Sequence, residues 1–194
     1  MGLKNSAQSF QKMMSHIFFD LPGSFTYIHD ILLFSKSEKE HLQLVEEALQ
    51  RLAANGLAIH LEKCVFGQNH IDFLGYKVTP TGITPLPRKV AALQRYPPPQ
   101  TPKNFLGFLG AVNFYRCSLT NLDGKTPAEV LDPLYKAATM KTKPRVKFKD
   151  TWQTLNLDTH FAAAKQLLVN AATLVHPDPA APLSLTCDAS KGGL

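Results

Sequence analysis

Near the start of the chain, apolar residues recur at helical spacing. Phe10, Met13, Met14 and Ile17 lie between a capping Asn5 or Ser6 and the stop Leu21-Pro22-Gly23, which predicts a helix over 5–20. Two β-prone runs follow, Phe25–Ile28 and Ile31–Phe34, separated by His29-Asp30. So short a connection predicts a tight hairpin with both polar side chains at its tip. From Ser37 to Asn55 the pattern turns helical again. Ser37 and Glu40 form a capping box, and Leu42, Val45, Leu49 and Leu52 build an apolar face. Glu38, Glu46, Glu47, Gln50 and Arg51 fall on the water side, and Asn55-Gly56 supplies a left-handed stop.

Short strands are expected at 57–60, 64–66 and 71–78, then a Pro/Thr/Gly-rich boundary from Thr79 to Pro87. Helices over 87–95 and 102–116 are separated by Pro97-Pro98-Pro99. Phe105, Phe108, Leu109, Val112, Phe114 and Tyr115 crowd the second of them and read mostly as core. Residues 117–150 carry no clear period, a helix is expected over 152–174, and Leu183–Asp188 reads as a strand. Helices and short antiparallel strands in separate runs give an α+β class.

Composition narrows the function classes. Hydrophobic residues make up 44% and charged residues 19%, enough apolar material for a core and unlike a disordered chain. No apolar run approaches the roughly 20 residues of a membrane span. Three widely spaced cysteines, Cys64, Cys117 and Cys187, form no disulfide framework and fit a reducing compartment, cytoplasm or nucleus. The net charge of +6 is compatible with a polyanionic partner but does not require one.

Several motifs, in order, resemble the polymerase of gypsy-type LTR retrotransposons. Gly2-Leu3-Lys4-Asn5 with Phe10-Gln11 resembles the loop and helix that shape that family's nucleotide site. Tyr27-Ile28-His29-Asp30 stands where the family carries Tyr-x-Asp-Asp, and Ile31–Ser37, His41-Leu42 and Glu62-Lys63-Cys64 continue the match. Phe73-Leu74-Gly75-Tyr76 resembles the primer grip, and Phe108-Leu109-Gly110 with Asn113-Phe114-Tyr115-Arg116 resembles the thumb. Cys187-Asp188-Ala189-Ser190 is similar to the start of the family's RNase H domain. The resemblance implies a partial palm over 1–78, a thumb over 79–120, a connecting segment over 121–150 and the first part of an RNase H-like domain over 151–194. It also implies that the chain is a fragment of a longer polyprotein, from a decayed or domesticated element.

The family's nucleotidyl transfer uses two Mg²⁺ ions held by carboxylates: the Asp pair of the hairpin and a third from an earlier strand. Here His29 replaces the first Asp, and imidazole is a poor Mg²⁺ ligand. The earlier strand is not among these residues, so Asp30 remains as a weak metal position and no stable Mg²⁺ binding is expected. Asp188 is likewise a family position without its partner carboxylates. The expectation is a catalytically inactive reverse transcriptase fragment; the alternative is an RNA-directed DNA polymerase/RNase H completed by upstream sequence or a partner chain. By resemblance, Gly2 and Lys4 would line a nucleotide pocket, and Phe73, Leu74, Gly75 and Tyr76 would hold the primer end. Read from the residues, Phe73–Tyr76 is a core strand with an ordinary bulge.

Lys141, Lys143, Arg145, Lys147 and Lys149 place a basic residue at every second position, which in an extended strand puts all five on one face. Such a stripe suits the phosphates of an RNA/DNA duplex, and a lysine-protected edge strand explains it equally. His60, Cys64 and His70 have no recognised zinc spacing. The hairpin and the last strand are expected to leave open edges through which the chain could self-associate.

Overall fold

The computed structural model describes residues 5–139, 148–178 and 180–182, and the side chains of Lys149 and Thr151 stand outside that description. Packing divides the chain between Asn69 and His70 into two compact units.

The first unit holds α1 (Ser6–Ile17), β1 (Ser24–Tyr27), β2 (Asp30–Leu33) and α2 (Glu38–Ala54). Met14, Ile17 and Phe18 meet Ala48 and Leu52 in its core, with Phe10, Leu21, Ile31, Leu33, Leu57 and Ile59 packed around them. The capping box at the start of α2 forms as expected: the Ser37 hydroxyl accepts from the Glu40 N–H at 3.3 Å. The buried side of α2 differs from the expected one. It centres on Ala48 and Leu52, while Leu42 is 64% and Leu49 38% exposed. Small Ala48 meets the α1 residues, which rolls Leu42 and Leu49 off the contact.

Arg51, expected in water, ties the two helices together. It donates to the Ile17 carbonyl at 3.0 Å and to Glu47 Oε1 at 2.7 Å, and pairs with Asp20. That guanidinium holds the Asp20 carboxyl below its ordinary value. Residues 57–60 and 64–66 are not strands. Leu57 and Ile59 pack on the core without a ladder partner, and Leu61–Lys63 forms a 3-10 turn.

In the second unit the expected strand over 71–78 is a hairpin and part of a three-stranded antiparallel sheet. It comprises β3 (Ile71–Phe73), β4 (Tyr76–Thr79) and β5 (Gly82–Pro85). Leu174 bridges to Ile83 on β5 through two hydrogen bonds of 2.8 Å. Gly82 permits that approach, because a Cβ there would stand 2.4 Å from the Leu174 carbonyl oxygen. The helices are α3 (Pro87–Gln94), α4 (Pro102–Phe114), α5 (Pro127–Thr139), α6 (Phe148–Thr154) and α7 (Leu157–Val169).

Phe105, Phe108, Leu109 and Val112 of α4 are buried, as their crowding predicted, against Leu134 of α5 and Phe161, Ala164, Leu167 and Leu168 of α7. The Trp152 ring meets Phe105 and Phe161 edge-on, and its N–H donates to Asp158 at 2.9 Å.

Two expectations fail here. Residues 117–150 contain a full helix, α5, which Pro127 and Pro133 disguised. Its signal was present: Glu129 accepts from the backbone N–H and the hydroxyl of Thr126, ahead of Val130, Leu131 and Leu134. The single helix expected over 152–174 is two, broken where Asn156 turns left-handed at φ 47°. The strand expected at 183–188 lies outside the described residues.

Leu134 is shut off from water, so Leu134→Ala should cost about 2–5 kcal/mol of unfolding free energy in urea melts. Leu106→Ala, at a position 51% exposed in the neighbouring helix, should be close to neutral.

Candidate polymerase hairpin and primer-grip turn

β1 and β2 pair antiparallel with Tyr27 opposite Asp30, so the two-residue connection is Ile28-His29. This shifts the expected tip by one residue and places Asp30 at the head of β2. Turn chemistry favours Asp at a tip, but the pairing that seats Ile31 and Leu33 on the core decides the register. His29 is 79% and Asp30 47% exposed at the side chain, with His29 Nε2 3.7 Å from Asp30 Oδ1. Ile28 takes a left-handed φ of 52°. Its N–H donates to the side-chain oxygen of Gln11, whose amide nitrogen donates to the Thr26 carbonyl at 3.2 Å.

Phe73-Leu74-Gly75-Tyr76 is the turn of the β3–β4 hairpin, not a bulged strand. Phe73 pairs with Tyr76, and both central residues are left-handed, Leu74 at φ 47° and Gly75 at φ 84°, the signature of a type I′ turn. The end of α4 grips this turn from two sides. The Tyr115 hydroxyl donates to the Gly75 carbonyl at 3.2 Å, and the Tyr76 hydroxyl donates to the Phe114 carbonyl at 3.0 Å. The three rings stack into one another with centroids 4.9–5.6 Å apart. A Cβ on Gly75 would meet Tyr115 Oη at 3.1 Å and the Phe114 ring at 3.2 Å, so the position requires glycine for space and for conformation. Burial raises both phenols above the ordinary tyrosine value, helped at Tyr76 by neighbouring Tyr115 and Cys117.

A family model for reverse transcriptase (RNA-dependent DNA polymerase) matches residues 1–78. The retrovirus-related Pol polyprotein from transposon 297 of Drosophila melanogaster is 35% identical over 192 residues, 98% of this chain and 17% of the relative. The corresponding polyprotein from transposon gypsy, also of Drosophila melanogaster, is 26% identical over 202 residues, 100% of this chain and 19% of the relative. The chain belongs to the reverse transcriptase family of retroelement Pol polyproteins. It spans less than a fifth of those relatives' length. Its fold resembles the foamy viral protease-reverse transcriptase dRH solved in complex with ds DNA. There the TM-score is 0.75 at 24% identity, covering 92% of this chain and 30% of that one.

The residues that resemble the family's Tyr-x-Asp-Asp and primer-grip motifs fall on two separate hairpins, one in each packed unit. His29 and Asp30 stand together; Phe73, Leu74, Gly75 and Tyr76 form the second turn. Gly2, Lys4, Asp188 and the basic positions Lys141, Lys143, Arg145 and Lys147 lie outside the described residues. Lys149 stands in the first turn of α6, so an extended stripe does not reach that position. Cys64 donates through its thiol to the His60 carbonyl at 3.4 Å.

Family chemistry implies Mg²⁺, and the donors at the first tip are one carboxylate and one imidazole. Among the described residues no group of three or more His, Cys, Asp or Glu is placed to hold a metal. These donors do not fit a two-Mg²⁺ centre by themselves. Sequence reasoning read Gln11 only as part of a nucleotide-site-like helix and Tyr115 only as part of a thumb-like motif, and missed the contacts each makes to a hairpin. A polar residue on the apolar side of α1, and a tyrosine five residues past Gly110 of the thumb-like pattern, were the available signals.

A phenol whose folded pKa is raised contributes stability fully below its unfolded value and loses it as pH climbs past that value. Stability of the chain should thus fall as pH rises above about 10, with ionised Tyr115 also unable to donate to Gly75. Tyr115→Phe should lower stability near neutrality by about 0.5–1.5 kcal/mol and flatten the alkaline limb, as read in urea melts along a pH series. An unchanged alkaline limb in this variant would show that Tyr115 is not its source.

Proposed function

We propose that this chain is the primer–template-handling part of a retroelement reverse transcriptase whose polymerase hairpin has lost catalytic competence at His29. The observation that carries the reading is the first tip, where an exposed imidazole stands beside Asp30 in the place of the family's carboxylate pair. Two Mg²⁺ ions would clamp the attacking and leaving oxygens during nucleotidyl transfer, and that work needs hard carboxylate oxygens that imidazole does not replace. The second turn keeps what holding a primer end demands, a tight backbone corner with glycine at its apex and a rigid aromatic brace behind it.

Palm residues 1–78, thumb residues 79–120, the connecting segment 121–150 and the RNase H-like start at 151–194 are assigned by family resemblance. Asp188 is a vestigial nuclease position in this reading. The partner is duplex nucleic acid, RNA/DNA or DNA, met through positive charge including the alternating basic residues 141–149. The net charge of +6 and the foamy viral relative's complex with ds DNA support that partner. Exposed Phe19, Phe25 and Phe34 suit self-association of the chain, inside the cell.

The polypeptide of these 194 residues, given primer–template, nucleotides and Mg²⁺, should extend no primer, and His29→Asp alone should not restore extension. Templated synthesis by the unaltered chain would overturn the inactive reading in favour of an active polymerase. Duplex binding should weaken by about 0.9 log units per tenfold salt for each phosphate neutralised, without sequence preference. Changing Lys143, Arg145 and Lys147 together to Ser should flatten that slope by about two to three units. Changing Lys12, Lys39 and Lys63 to Ser should do less; equal losses would remove any special role from the stripe.

A further inference from the structure

A left-handed isoleucine is disfavoured, since a β-branched side chain crowds its own backbone there, and it persists where surrounding groups impose it. At Ile28 the imposing group is visible. Gln11, on α1, takes the Ile28 N–H on its side-chain oxygen and gives its amide hydrogens to the Thr26 carbonyl and the Ser15 hydroxyl, each at 3.2 Å. β1 pairs with β2 through Tyr27 opposite Asp30, and backbone groups alternate in direction along a strand. The Thr26 carbonyl and Ile28 N–H therefore point to the other edge of β1. There the Gln11 amide meets acceptor with donor and donor with acceptor, as a neighbouring strand's peptide would.

We propose that Gln11 is the positioning residue of the hairpin: it holds Ile28 left-handed and so fixes the direction in which His29 and Asp30 leave the tip. An amide suits this place because it offers an acceptor and a donor on one planar unit of peptide geometry, and the acceptor, which takes the Ile28 N–H, is the half that holds the tip. One turn further along α1, Ser15 takes the remaining amide hydrogen bond and limits rotation of the Gln11 head. The inference rests on the preceding functional reading only in treating this tip as the working end of the hairpin. Neither metal nor nucleic acid enters its test.

Amide hydrogen exchange and backbone NMR shifts of the full chain test it. Gln11→Ala should speed exchange at the Ile28 N–H about fivefold to tenfold, the factor that one net hydrogen bond supports, and should move the His29 and Asp30 signals. The Leu52 amide, in the core of the same unit, should be unchanged. Gln11→Glu keeps the acceptor and should keep Ile28 protected. In an Ile28→Gly background, where left-handed backbone needs no restraint, Gln11→Ala should leave the Asp30 signals in place. The proposal is overturned if Gln11→Ala leaves Ile28 exchange as it was, if Ile28 and Leu52 lose protection equally, or if the Ile28→Gly background makes no difference. Should Gln11→Ala fail to fold, lost Ile28 protection in Gln11→Glu overturns it and retained protection upholds it. Failure of the polymerase reading would show in primer extension and leave these exchange rates untouched.

Discussion

Withdrawal of Phe105, Phe108, Leu109 and Val112 from water is what the second unit is built to achieve. One helix with this much apolar surface is insoluble alone, so α5 and α7 must close over it, and Trp152 fills the space left at its N-terminal end. The β3–β4 turn depends on the same burial at one remove. Its fastening to Tyr115 and Phe114 is rigid only because α4, which carries them, is locked by its inner face. A corner of this kind inherits its precision from the hydrophobic core that the helix behind it enters.

Elements with a strong period and a cap were legible from the residues: α1, α2 and α4 stand close to where spacing and the Ser37–Glu40 box placed them. Legibility failed where a local rule pointed one way and packing another. Residues 117–150 showed no clear period, yet α5 forms there, with Pro127 at a first-turn position where its missing N–H costs nothing. Leu42 and Leu49 fit the apolar period of α2, but a period says which residues share a side and not which side finds a neighbour. Residues 57–66 contain strand-forming side chains, and a strand additionally requires a partner that propensity does not report.

The candidate site was readable as residues and less so as geometry. Resemblance marked both hairpins, and the chemistry of His29 against carboxylate followed from the letters alone. The one-residue shift at the tip did not, because it is decided by which strand residues reach the core. Nor did the clasp of Tyr115 on Gly75, which joins positions forty residues apart with no pattern between them.

The bridge between Ile83 and Leu174 carries a consequence for how this chain comes into being. Residues about ninety positions apart must meet before β5 gains its outer neighbour, and a loop of that length is entropically costly to close. During synthesis the meander of β3, β4 and β5 therefore exists for a time with one flank bare, until α7 has emerged and turned back. The outer side of β5 is completed by a segment made about ninety residues after it, and Gly82 keeps the slot open for that segment.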